Sequence, residues 1–170
     1  MSPGASSEAI RYFSYVLSPF TVSKKRTDLL GSFRSSISPS LHAGAALLLI
    51  LYLAIGGMIG TLARYALGGL LQPSSGNFPW GTLVVNLLGA FALGFLMRYL
   101  LGTTAVGPEL RAALTIGFCG SFTTMSTFSY ETVTLLTDGE YWRAGSYISG
   151  SILGTVTAVI AGAATASRLL

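Results

Sequence analysis

The sequence predicts an all-α integral membrane protein, and three observations carry that expectation. Charged residues make up 9% of the 170-residue chain, against about 25% in soluble domains. Apolar residues make up 51%, and mean hydropathy is +0.65. These residues gather into four stretches, at about 43–71, 80–101, 109–136 and 141–168, each long enough to cross a bilayer as a helix. The connections between them are short, so antiparallel neighbours in one compact four-helix domain follow. Within these 170 residues no separate soluble catalytic domain is expected.

Residues 1–42 come first and are expected to form a mobile basic extension, rich in Ser and interrupted by Pro3, Pro19 and Pro39. They hold Arg11, Lys24, Lys25, Arg26 and Arg34, half of the ten basic residues. A basic tail beside anionic lipid headgroups accounts for the pI near 9.5 without any nucleic-acid partner. The basic cluster follows the short apolar runs instead of preceding them, which fits a secretory signal poorly. An amphipathic surface segment around Ile10 to Phe20 stays open.

The first span, 43–71, is apolar except for Arg64 and a few small polar residues. A connection without charge, QPSSGNFP, leads to the second, which opens on Trp80 and closes on Arg98 and Tyr99, side chains that anchor helix ends at the headgroups. The third contains GFCGSFTTMSTFSYE, residues 117–131, with five hydroxyl residues between Ser121 and Thr127. The fourth carries Tyr147, Ser151 and Thr155 at intervals of four, hence on one face. Glycines recur throughout and let membrane helices approach closely. Cys119 and His42 are each single, which excludes an internal disulfide and any cluster of histidine or cysteine ligands. With no nucleophile–base pair either, an enzyme is not expected.

Polar groups inside apolar spans point to transport. An amide such as Asn86 costs about 4–8 kcal/mol to place unpartnered in hydrocarbon, so it must face protein or water. Thr82, four residues earlier, shares its face. The Thr82–Asn86 column and the Tyr147–Ser151–Thr155 column suggest a solvated or ion-conducting track, although interhelical hydrogen bonding explains either one alone. Arg64 either snorkels to an interface or lines an aqueous vestibule, where it would attract anions. Gly117 and Gly120 loosen the third span, and Ser121, Thr123 and Thr124 can satisfy the backbone groups that a break near Gly120–Thr123 would release. Met125 and Phe128, three apart, are expected on one face of the helix that follows; a phenyl ring edge carries positive quadrupole charge.

The motifs GGMIGTLARY (56–65), WGTLVVNLLGAFALG (80–94), GFCGSFTTMSTFSYE and YISGSILG (147–154) resemble, in order and one per span, the Fluc (CrcB-type) fluoride channels. The resemblance implies a four-helix subunit whose third helix is broken, paired with an inverted copy of itself as an antiparallel, dual-topology homodimer. It implies passive fluoride export across the cytoplasmic membrane, relieving fluoride toxicity. It further implies a structural Na+ at the dimer centre, held by the backbone carbonyls of Gly120 and Thr123. Asn86, Thr82, Ser151, Thr155 and Tyr147 would follow the fluoride pathway, with Arg64 in its vestibule. The family motif usually reads TTFSTF, and the resemblance implies that the ring edges of its two phenylalanines line the fluoride pathway; this chain has Met125 at the first of those pathway positions and keeps Phe128 at the second. Ser121 stands where a second glycine is usual.

A basic tail is a further departure, because it biases the amino terminus inward. Three explanations stay open: the tail is too distant to count, the chain pairs with an oppositely oriented related subunit, or the functional start lies nearer Leu49. Two other functions compete with fluoride export. A proton-coupled small multidrug-type transporter needs a protonatable acid deep in the membrane, and Glu131 is the sole candidate, placed near the end of its span. A membrane subunit with a structural role and no transport is the other.

Overall fold

The computed structural model describes residues 39–72, 78–103 and 106–170. The expected extension, residues 1–42, lies outside the described residues except for its last four. The chain divides into two compact units between Ala45 and Ala46, and the second, Ala46–Leu170, contains the apolar spans and the polar residues within them. The described elements are all helical: α1 (Pro39–Leu71), α2 (Trp80–Gly102), α3 (Pro108–Ala112), a π-helical segment (Ala113–Cys119), α4 (Gly120–Phe122), α5 (Met125–Thr137) and α6 (Tyr141–Ser167). Three helical stretches are long and apolar enough to cross a membrane: Ala46–Leu71, Trp80–Leu100 and Tyr141–Ser167. Between the second and third of these, residues 108–137 run as shorter helical pieces.

Glycine sets how closely these helices meet. The main packing is α2 against α6, and a Cβ at Gly94 would collide with the Val159 carbonyl, while one at Gly162 would collide with the Phe91 carbonyl. The two backbones touch without intervening side chains, the close approach that small residues allow in lipid, where no hydrophobic force drives helices together. Helix α1 meets the π-helical segment in the same way: Gly56 lies against the Ala113 carbonyl and Gly60 against that of Phe118.

An apolar cluster of Leu83, Phe128, Leu135, Ala144 and Tyr147 joins the start of α2 to α5 and the start of α6. The turn from α5 to α6 is tight because Gly139 adopts φ +76°. Its N–H donates to the Leu136 carbonyl and that of Glu140 to the Leu135 carbonyl, the paired bonds that end a helix on a left-handed residue. Large apolar side chains such as Ile55, Leu62, Leu153 and Ile160 are exposed along α1 and α6. In a chain of this composition those faces meet lipid or another subunit. Trp80, Tyr141 and Trp142 are exposed at one end of the bundle, where indole and phenol rings settle at the headgroups.

The α2–α6 contact yields a stability prediction. Gly162→Ala should destabilise the protein by about 1–3 kcal/mol, the usual range for overpacking, whereas Gly145→Ala, with no atom near the added methyl, should not. The temperature at which the detergent-solubilised protein loses its monodisperse elution peak measures both.

Candidate ion-conduction site at a helix break

The helical path through the third expected span stops at two threonines. Thr123 (φ −81°, ψ 157°) and Thr124 (φ −147°, ψ 113°) are extended, separating α4 from α5. Gly120 keeps helical angles (φ −64°, ψ −33°), so the break falls after it and not across Gly120–Thr123. Asn86 holds it there. The Thr124 N–H, the group that would close the next turn on the Gly120 carbonyl, donates instead to Asn86 Oδ1 at 2.8 Å. In return Asn86 Nδ2 donates to the Thr124 carbonyl at 3.1 Å. One side-chain amide thus serves both backbone groups of an extended residue, as a neighbouring strand would.

Thr124 also starts the next helix. Its Oγ1 accepts from the Thr127 N–H at 3.2 Å, the usual N-cap bond, and donates to Thr127 Oγ1 at 2.9 Å. On the other side of the break, the hydroxyl and amide of Thr123 both donate to the Cys119 carbonyl, each at 3.1 Å. The last turn before the interruption and the first after it are therefore each closed by a threonine.

A second polar cluster lies around Glu131. Thr82 Oγ1 donates to Glu131 Oε1 at 2.8 Å, and the Tyr147 hydroxyl donates to Oε2 at 2.6 Å. An acid among apolar helices is tolerated when both oxygens are bonded, and here α2 and α6 each contribute one donor. Tyr147 is fully buried, its ring tilted against Phe128 with centroids 5.1 Å apart.

Below Tyr147 on the same face of α6, Ser151 is 6% exposed. Its Oγ has no hydrogen-bond partner among the described residues. Thr155 turns its hydroxyl back to the Ser151 carbonyl at 2.6 Å, and so is satisfied within its own helix.

Arg64, Thr61 and Tyr65 of α1, Thr82 of α2, and Thr124 and Thr127 at the break line one cavity of about 350 Å³. Glu131 lines a second, of about 250 Å³, with Gln72, Thr134 and Asp138. The Thr82–Glu131 hydrogen bond joins the walls of the two. Met125 and Phe128, three apart in α5, differ in burial: Met125 is 71% exposed, while Phe128 is buried in the apolar cluster. Thr124 and Thr127 at the break and Glu131 beyond it complete the cluster, and the sequence shows Thr124 only as a helper of the break and Glu131 only as an isolated acid, without their partners. A Thr three residues ahead of Thr127 signals an N-cap, but no spacing rule links Glu131 to Thr82, 49 positions away, or to Tyr147, 16 positions away.

A family model described as CrcB-like protein, Camphor Resistance (CrcB), matches residues 51–163. The chain belongs to this family. A Geobacter sulfurreducens protein named fluoride-specific ion channel FluC is 47% identical over 121 residues, 71% of this chain and 98% of its own length. The Pyrococcus horikoshii protein of that name is 45% identical over 120 residues, covering 71% and 97%. That of Chlorobium luteolum is 42% identical over 113 residues, covering 66% and 88%. Every residue of the Asn86 and Glu131 clusters falls inside the CrcB match, and the apolar helices make this CrcB-family chain a multi-pass membrane protein.

The Glu131 cluster should contribute measurably to stability. Tyr147→Phe keeps the ring and loses the hydrogen bond, at an expected cost of about 1.5–3 kcal/mol for a bond to a charged group. Thr155→Val, which loses only a bond within one helix, should cost less than about 1 kcal/mol. Thermal unfolding of the two variants in the same detergent gives the comparison.

Proposed function

We propose that the chain is a subunit of a fluoride-selective channel that lets F− leave the cell passively and so relieves fluoride toxicity. The observation that carries this reading is the Ser151 hydroxyl, a buried donor without a protein partner among the described residues. Leaving such a group unsatisfied costs about 1–3 kcal/mol, a cost offset when a permeating anion or its water accepts the bond. Fluoride, small and strongly hydrated, takes more from each donor than chloride does. Asn86 adds to the path, because Thr124 occupies one Nδ2 hydrogen and the second is uncommitted among the described residues. Thr82 and Tyr147 extend the polar lining, and Thr155 continues it along α6.

Charge favours an anion. The first turn of α5 presents the positive end of a helix dipole at the break, and Arg64 stands on the wall of the larger cavity as a vestibule residue. Met125 is exposed on the subunit and lies along the fluoride path once a second subunit covers it. Phe128 acts by fixing Tyr147, and it reaches the ion only through a ring edge.

The family resemblance implies four membrane crossings, with residues 108–137 as the broken third, and pairing with an inverted copy of the chain or a related subunit; the fluoride selectivity is what the names of the relatives carry. A structural Na+ fits the break on chemical grounds. The described residues hold no cluster of acidic, histidine or cysteine ligands, whereas the Gly120 carbonyl has lost the Thr124 N–H, and carbonyl oxygen suits a hard monovalent cation. The carbonyls of Gly120 and Thr123 would hold the ion, which supplies positive charge at the subunit junction.

Liposomes reconstituted from detergent, where chains of both orientations meet, should release fluoride and retain chloride. Equal loss of both ions, or of neither, overturns the reading. Ser151→Ala tests the hydroxyl directly: removing an unsatisfied buried group should leave stability unchanged or raised, while fluoride efflux through a fluoride electrode assay falls at least tenfold. Unchanged efflux would show that the hydroxyl faces no ion.

A further inference from the structure

Tyr147 is fully buried and gives its one hydroxyl hydrogen to Glu131 Oε2, so the placement of its ring decides whether both carboxylate oxygens are bonded. Phe128 of α5 meets that ring with centroids 5.1 Å apart. A second ring reaches it from the connection between α1 and α2. Phe78 stands with its centroid 5.7 Å from that of Tyr147 and its plane at 78° to it, the edge-to-face arrangement that aromatic quadrupoles favour. Phe78 lies outside every helix and lines neither of the two cavities, so neither periodicity nor a place on an ion path singles it out.

A side chain from a connection can fix a neighbour only when it is itself fixed, and Phe78 is held in three ways. The Trp80 ring lies against its own, centroids 4.6 Å apart. The Trp80 N–H donates to the Phe78 carbonyl at 2.9 Å, closing a three-residue turn. Gln72, just past the end of α1, donates from Nε2 to the same carbonyl at 3.3 Å, and its Oε1 accepts from the Gly81 N–H at 3.3 Å. One amide thereby ties the end of α1 to the first turn of α2 and steadies Phe78 on the way. The Phe78 ring packs partly buried on the apolar cluster that contains Tyr147.

Glu131 stands where the walls of the two cavities join, with Thr82 on one oxygen and Tyr147 on the other. A Tyr147 ring free to swing would leave Oε2 without its donor, and the released carboxylate would turn its charge into the cavity it lines. Between apolar helices that charge repels an anion more strongly than it would in water. We infer that Phe78 is a positioning residue for anion passage: its ring holds Tyr147 on Glu131, keeps the carboxylate bonded at both oxygens, and so keeps the junction of the two cavities passable. This inference rests on the fluoride path proposed above, to which Tyr147 belongs.

A double-mutant cycle of Phe78→Leu and Tyr147→Phe in the full chain, read in two ways, is the test. In liposomes, Phe78→Leu should lower fluoride efflux per folded protein about fivefold, yet lower it no further in the Tyr147→Phe background. Factors that multiply overturn the inference, because a ring that only supports the bundle acts independently of the hydroxyl; efflux unchanged by Phe78→Leu alone overturns it too. In detergent, the fall in unfolding temperature caused by Tyr147→Phe should shrink by about half or more in the Phe78→Leu background, where the hydroxyl no longer stands on Glu131. An undiminished fall overturns the inference as well. If Phe78→Leu loses its monodisperse elution peak, Phe78→Met, an adaptable apolar side chain without a ring, takes its place in both cycles. A wild-type protein that releases no fluoride sinks the channel reading, and the unfolding cycle then decides whether Phe78 holds Tyr147 on Glu131.

Discussion

The exchange of two hydrogen bonds between the Asn86 side chain and the Thr124 backbone is the constraint on which the rest of the site depends. A membrane interior offers no water to a freed N–H or carbonyl, so a helix can open there only where something else takes both groups. Asn86 takes them at 2.8 and 3.1 Å. With Thr124 fixed as an extended residue, the chain restarts as α5 on a threonine cap, and the direction of α5 brings Glu131 to Thr82 and Tyr147. A residue of α2 thereby determines where a carboxylate of α5 meets a phenol of α6.

That geometry requires close helices, and the glycines make them close. Carbonyls lie against Gly94 and Gly162 across the α2–α6 contact, and against Gly56 and Gly60 across the contact of α1 with the π-helical segment. Because the backbones touch, short side chains such as Thr82 can reach a carboxylate on a third helix without a bridging water. The hydrogen bonds that join one helix to another around Glu131 and Asn86 lie where α2, α5 and α6 meet.

Hydropathy is a local property, and the all-helical membrane character is legible from it without knowledge of any contact. Position along the third span is less so. Glycine suggests a flexible backbone, and Gly117 and Gly120 draw the expected break towards themselves; the break lies at Thr123–Thr124 because the partner that stabilises it is on another helix. The unequal exposure of Met125 and Phe128 is likewise beyond the reach of spacing. Met125 is the first residue of α5, beside the break, whereas Phe128 lies one turn further on, where Leu83, Leu135 and Tyr147 close over it. Thr82 and Tyr147 can be picked out one at a time by periodicity, but their common partner Glu131 cannot, since it is joined to them only in three dimensions.

Immediately before the break, Ala113–Cys119 runs as seven π-helical residues. A π turn holds an extra residue relative to the α turn it replaces, so such a segment is a reservoir of length within a helix. Loss of one residue there can be absorbed by tightening to the α form, with the flanking faces kept in phase. Loss of one residue within α5 would instead rotate Glu131 away from both its donors. Of the whole third span, Ala113–Cys119 is therefore where the chain can change length over evolutionary time without disturbing the polar centre that follows it.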